Sequence, residues 1–203
     1  MTTDAINGTV HLVRHGRVEN PQGVIYGRLP GFHLSEIGKQ QATQAADHLA
    51  PRPVRAVWAS PLERAQETAA AIAERHGVEV VTDERLIESA THLEGIGRTL
   101  LAFATSPRHW WRLRNPIRPS WGESYEDIRK RMTEVVAEAL AAAAGGDAVV
   151  VSHQTPIIVA RNHFTSRWGP PWRGPLRCET GSVTTLVLDK GRAAEGAYFA
   201  PSA

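Results

Sequence analysis

One cysteine in 203 residues rules out an internal disulfide, and with it the thiolate clusters that hold structural zinc. No apolar run approaches the roughly 20 residues that cross a bilayer. Met1–Gly8 lacks the basic-then-apolar pattern of a secretion signal. The formal charge is only +2, from 23 Lys and Arg against 21 Asp and Glu, so no general affinity for nucleic acid follows. A glycine-rich loop closed by Lys-Ser/Thr is missing, as is a dinucleotide-binding fingerprint, and no internal repeat is visible. These absences leave a single cytoplasmic domain, long enough for a sizeable core, with no membrane and no nucleic-acid partner expected.

What the chain does have is strands that end in chemistry. Thr9–Val13 is β-branched and apolar, and runs straight into Arg14-His15-Gly16. Val54–Ala59 is followed by Ser60-Pro61-Leu62-Glu63-Arg64, and Ala148–Ser152 by His153 and Gln154. Between them, Ser35 is placed to cap a helix over 36–49, with Gly38 as a weakness inside it. A second helix is expected from Pro61 to His76, closed by Gly77, and a short strand over 78–82. Further helices are expected over 123–144, stopped by Gly145 and Gly146, and over 156–164. A last strand follows over 183–188. This order predicts a three-layer α/β/α sandwich with a mostly parallel central sheet, the last strand antiparallel at an edge.

Residues 83–122 break the rhythm. They carry Glu84, Glu88 and Glu94, a short helix expected over 100–103, and a Trp/Arg/Pro-rich stretch over 106–121. We read the segment as a cap over the strand ends; a surface excursion pinned by its tryptophans is the other reading. The tryptophans of 106–121, or those of the irregular 168–175 stretch, could equally form the face of a homodimer.

In an α/β sheet, ligands are handled at the carboxyl ends of the strands. That brings Arg14, His15, Arg64 and His153 towards one place, with Glu88, Asn20 and Arg28 near in sequence. Zinc held by two histidines and a carboxylate is a weak reading, because two arginines there would repel a cation. An anion fits better, since guanidinium forks match phosphate oxygens. A neutral imidazole can attack phosphorus, and a carboxylic acid can protonate the departing alkoxide. Neither metal nor other cofactor is called for.

These motifs resemble the histidine phosphatase superfamily, also called the phosphoglycerate mutase-like family. Arg14-His15-Gly16 is similar to its hallmark, and Ser60-Pro61-Leu62-Glu63-Arg64-Ala65-Gln66-Glu67-Thr68-Ala69 to its Ser-Pro-Leu-x-Arg-Ala-x-x-Thr-Ala motif. Leu34–Ala42, Leu86-Ile87-Glu88 with Glu94-Gly95, Gly122-Glu123-Ser124 and Ser152-His153 complete the likeness, which extends from about 10 to 188. The resemblance implies a phosphoglycerate mutase-like fold, with the catalytic domain over 9–190, 83–122 as its cap or insert, and 1–8 and 191–203 as terminal segments. It implies His15 as nucleophile, Arg14, Arg64 and His153 as the phosphate-binding core, and Glu88 as proton donor. Asn20, Arg28 and Gln154 would be outer substrate contacts. Two departures stand out. Arg17 and Val18 replace the usual Glu/Gln-Thr, with Asn20 one place closer than the usual asparagine, and Gln154 follows the second histidine in place of glycine.

The implied activity is hydrolysis of a small phosphorylated metabolite through a phosphohistidine. Mutase-type phosphoryl transfer is the first alternative. A non-enzymatic module that binds phospho-ligands or a protein is the second, although neither the nucleophile nor an arginine is missing.

Overall fold

Both faces of the central strands are apolar, so both must be covered. The computed structural model describes residues 6–91, 94–95, 122–167, 177–194 and 196–202. The helix expected over 100–103, the 106–121 stretch and the 168–175 stretch lie outside these.

The strands are β1 (Gly8–Arg14), β2 (Val54–Ala59), β3 (Val80–Thr82), β4 (Asp147–Ser152), β5 (Val183–Asp189), β6 (Arg192–Ala193) and β7 (Tyr198–Phe199). Among the described residues they form one seven-stranded sheet in the order β3-β2-β4-β1-β5-β6, with β7 also on β5. From β3 to β1 every pairing is parallel, and β5 runs antiparallel to β1. Helices α1 (Glu36–Leu49) and α2 (Glu63–His76) cover one face, packing Ala45, Leu49 and Ile72 on Val13, Val57 and Val149. Helices α3 (Tyr125–Ala142) and α4 (Gln154–Phe164) cover the other, packing Met132, Val136 and Ile157 on Val10, Leu12 and Val150. The three-layer sandwich is as the sequence implies.

Local chemistry sets the helix ends. Ser35 caps α1 by accepting the Gly38 N–H at 3.1 Å, and Ser124 caps α3 through the Asp127 N–H at 3.1 Å. Each such cap stabilises its helix by about 1 kcal/mol. Helix α2 starts at Glu63 rather than Pro61, because Leu62 is extended (φ −71°, ψ 137°). Helix α4 starts at Gln154, two residues earlier than expected, with His153 in the capping position. Pro156 is tolerated in that first turn because its missing N–H would have no helical partner.

The sheet corrects one expectation. Strand β5 is not the edge. Lys190 (φ 49°) and Gly191 (φ 70°) form a two-residue turn with positive φ at both positions, which matches the twist of a hairpin and folds β6 back on β5. Tyr198 and Phe199 pair with Thr184 and Val183 at the other end of the same strand.

Candidate active site

Strands β1 and β4 are adjacent, parallel and in register up to Arg14 opposite Ser152. The next residue on each is a histidine, so the ladder itself sets His15 beside His153. Backbone bonds continue past the strands: His15 N–H to Ser152 at 3.1 Å, and Ser60 N–H to Val151 at 3.0 Å. Three strand ends are thereby tied together.

The turn after His15 is braced by close contacts. A Cβ on Gly16 would lie 2.4 Å from the Gly38 carbonyl oxygen, and one on Gly38 would lie 2.0 Å from that of Arg17. Gly38 is therefore not a weakness of α1 but the condition for its first turn to touch the loop after His15. Thr68 of α2 accepts the Gly16 N–H at 3.1 Å and donates to the Arg64 carbonyl at 2.7 Å, joining the loop to the helix that carries the arginine.

His15 Nδ1 lies 2.7 Å from the Gly16 carbonyl, which can only accept, so Nδ1 carries the proton and Nε2 keeps its lone pair. The His153 ring lies 5.1 Å away, centroid to centroid. Its Nε2 is 2.8 Å from Ser60 Oγ, which also accepts the Leu62 N–H at 3.4 Å. The contact with Ser60 occupies Nε2 and leaves Nδ1 as the ring nitrogen open to a ligand. Arg64 is fully buried, donates from Nη2 to the Gly27 carbonyl at 2.7 Å, and lies under the Tyr26 ring at 4.8 Å. Arg14 Nη1 donates to the Cys178 carbonyl at 2.6 Å. Arg14 Nε, Arg64 Nε and Nη1, and His153 Nδ1 are buried with no partner among the described residues. Unpaired buried donors are costly. Three such guanidinium donors beside one imidazole suit an oxyanion.

The electrostatics agree. Burial, then Arg64 and Arg14, hold the His15 imidazole well below its ordinary pKa. Burial does the same to His153, helped by His15 and both arginines. Both rings are neutral at physiological pH, and a neutral ring is what nucleophilic attack requires. Glu88 is pushed the other way. Burial raises its carboxyl, against the Ser89 N–H at 2.8 Å and the two arginine charges. Glu84 is exposed, and the Glu94 carboxylate accepts the Arg28 N–H at 2.7 Å. Of the three glutamates, Glu88 is the one whose charge is coupled to Arg14 and Arg64.

Two residues singled out in the sequence are engaged elsewhere. The Asn20 amide closes its own loop on Val24, at 2.9 and 3.1 Å. Arg28 donates to the Glu88 carbonyl at 2.7 Å and to Glu123 Oε2 at 3.0 Å. Gln154 opens α4 directly after His153 and is half-buried. Sequence reasoning missed Ser60, Thr68, Tyr26 and Glu123 as parts of the site. Ser60, Thr68 and Glu123 lie inside motifs already noted, so the signal was present; Tyr26 lies in none. Among the described residues no cluster of three His, Cys, Asp or Glu is placed to hold a metal ion, and no helix is long and apolar enough to cross a membrane.

Comparison with known proteins places this geometry. The chain is 51% identical over 198 residues to uncharacterized protein Rv0525 of Mycobacterium tuberculosis, covering 96% of each chain. It is 30% identical over 183 residues to a 2,3-bisphosphoglycerate-dependent phosphoglycerate mutase of Thermoplasma acidophilum, covering 89% of this chain and 88% of the other. The fold superposes with a TM-score of 0.72 on a mycobacterial glucosyl-3-phosphoglycerate phosphatase in complex with VO3, at 29% identity over 88% of this chain and 92% of that one. The family model of the histidine phosphatase superfamily (branch 1) matches residues 10–198, and the chain belongs to that family.

Proposed function

We propose that this protein is a phosphomonoesterase that hydrolyses a small phosphorylated metabolite through a phosphohistidine, within a catalytic domain over 9–190 that works in the cytoplasm. The observation that carries the reading is the His15 Nδ1–H bond to the Gly16 carbonyl, which leaves Nε2 as the lone pair. Nε2 attacks phosphorus while the P–O bond to the leaving group breaks. Arg14, Arg64 and His153, through Nδ1, take the charge on the phosphoryl oxygens, with donors that are already in place and need no reorganisation. Glu88 gives its proton to the leaving alkoxide. The resulting carboxylate then takes a proton from water, whose oxygen attacks phosphorus, and the P–N bond breaks to release phosphate and restore His15. Every step is supplied by side chains.

Likeness to a phosphoglycerate mutase at 30% identity favours a second reading, in which a phosphate acceptor replaces that water. Likeness to a phosphatase of similar fold supports hydrolysis. The test is phosphate release from a panel of aryl phosphate, phosphoglycerates, sugar phosphates and nucleotides, with His15→Ala alongside. Turnover lost in the variant is the expected result, with radiolabel from substrate retained at a histidine on wild type quenched in alkaline detergent, where the P–N bond survives. Label on the chain with exchange between phosphoglycerates but no phosphate release would establish the mutase. Equal turnover by both proteins would remove His15 as the nucleophile.

A further inference from the structure

Beside the last turn of α4, a cavity of about 210 Å³ opens against β5. One water needs only roughly 10–15 Å³, so the space suits a small organic molecule. None of His15, His153, Arg14, Arg64 or Glu88 lines it. Its walls carry three arginines, Arg161, Arg167 and Arg177, with Thr184, Leu186 and Tyr198, and no carboxylate stands among the described lining residues.

A helix C-terminus attracts basic side chains for its own sake, which accounts for Arg161 in the last turn. It does not account for Arg177, which lies beyond the helix. Nor does it account for Thr184, only 4% exposed, whose hydroxyl has no partner among the described residues. The Tyr198 hydroxyl accepts the Glu179 N–H at 3.1 Å, which leaves its own proton to donate. Guanidinium forks, a buried hydroxyl and a phenol are donors suited to a compact dianion. The cavity also adjoins the catalytic apparatus through the backbone. Arg161 Nη1 holds the Arg177 carbonyl at 2.9 Å, and Arg14 holds the next carbonyl, that of Cys178, at 2.6 Å.

We infer that this cavity is a second anion site, separate from the phosphoryl-transfer site, for a small metabolite bearing a phosphate group. It takes its ligand by Arg177 and the Thr184 and Tyr198 hydroxyls, and holds it one residue from the carbonyl that positions Arg14.

The test is calorimetric titration of the full chain with inorganic pyrophosphate, in a His15→Ala background that prevents turnover. Two molecules bound per chain are expected. Adding Arg177→Gln, an exposed position, should weaken one of the two events by about tenfold, the worth of one charge-assisted hydrogen bond. Thr184→Val, which keeps the side-chain shape, should weaken the same event. Adding Arg64→Ala instead should remove only the other event. A single event that Arg64→Ala abolishes would overturn the second site, as would two events untouched by both Arg177→Gln and Thr184→Val. If Arg64→Ala removes nothing while Arg177→Gln does, the second site stands and the reading of the catalytic pocket is the one at fault.

Discussion

Strand β1 presents two histidines, His11 within it and His15 just past its end, and both are 1% exposed. Burial lowers the pKa of both. What separates them is the sign and completeness of their surroundings. His11 uses both ring nitrogens, on Thr185 Oγ1 at 2.9 Å and Asp147 Oδ2 at 3.0 Å, and Arg52 Nε closes the cluster on the same carboxylate at 2.8 Å. Charges there cancel and the ring is fully partnered. His15 is bonded through Nδ1 alone to a backbone carbonyl, and the charges it feels are two arginines. A buried histidine facing a carboxylate is held in place, whereas one facing unpaired guanidiniums waits for an anion. The difference locates function more sharply than burial or pKa direction alone.

Exchanging the roles of the two rings gives the widest separation. His15→Ala should lower kcat by about 10⁴-fold or more, the scale of nucleophile losses, with little change in a urea unfolding midpoint. His11→Ala should do the reverse, costing about 1–3 kcal/mol of stability for the lost hydrogen bonds and the exposed need of Asp147, with kcat nearly unchanged. If His11→Ala also abolishes turnover in protein that remains folded, the comparison fails.

Next in size is Glu88→Gln, which removes the proposed proton donor and should lower kcat by about 10²–10³-fold on an alkyl phosphate. On an aryl phosphate, whose leaving group departs without a proton, the loss should be much smaller. Equal losses on both substrates would assign Glu88 to the binding of phosphate instead.

Ser60→Ala should have a milder effect, about tenfold in kcat/KM, because His153 Nε2 loses the hydroxyl that orients its ring. Measured against an unchanged melting temperature, the loss separates orientation of His153 from support of the fold.

The smallest effect expected is on stability against pH. His11, His15 and His153 all have folded-state pKa values below the ordinary one. Below about pH 6.5 the unfolded chain therefore binds more protons than the folded one. The stability of the neutral rings is fully present above that pH and is lost as pH falls towards the folded values. Glu88, with a raised pKa, works in the opposite sense. Added vanadate should offset the part of the acid loss due to His153, since a bound dianion favours its protonated form, but not the part due to His11. Melting curves between pH 7 and 5, with and without vanadate, would show the two parts.

Much of this was legible in the sequence. The apolar strands, the Ser35 cap and the glycine stops mark the elements because those signals are local. The candidate site was legible where topology decides position: Arg14 ends β1, His15 and His153 follow strands directly and Arg64 lies in the first turn of α2, whereas Glu88 comes after a short helical turn over Glu84–Leu86. Direction of the side chain was not legible. Arg28 and Asn20 lie in the right loop, yet one points its guanidinium at Glu123 and the other closes a turn on Val24. Tyr26, between the Arg14-His15-Gly16 and Leu34–Ala42 motifs and in neither, is placed by a loop that Glu63 and Glu67 pin to α2 through the Gly31 and Leu34 N–H groups. Two short strands in the tail escaped notice because two residues make no periodic pattern.

The contact between Gly16 and Gly38 has a spectroscopic consequence. The Gly16 carbonyl dictates which nitrogen of His15 is protonated, and the backbone of α1 fixes where that carbonyl stands. A methyl group added at Gly38 would push on the Arg17 backbone and, through it, on the acceptor of the Nδ1 proton. Ring nitrogen chemical shifts of His15 should then move from a single tautomer towards a mixture, so that a change in a helix is read in the nucleophile before any substrate is present.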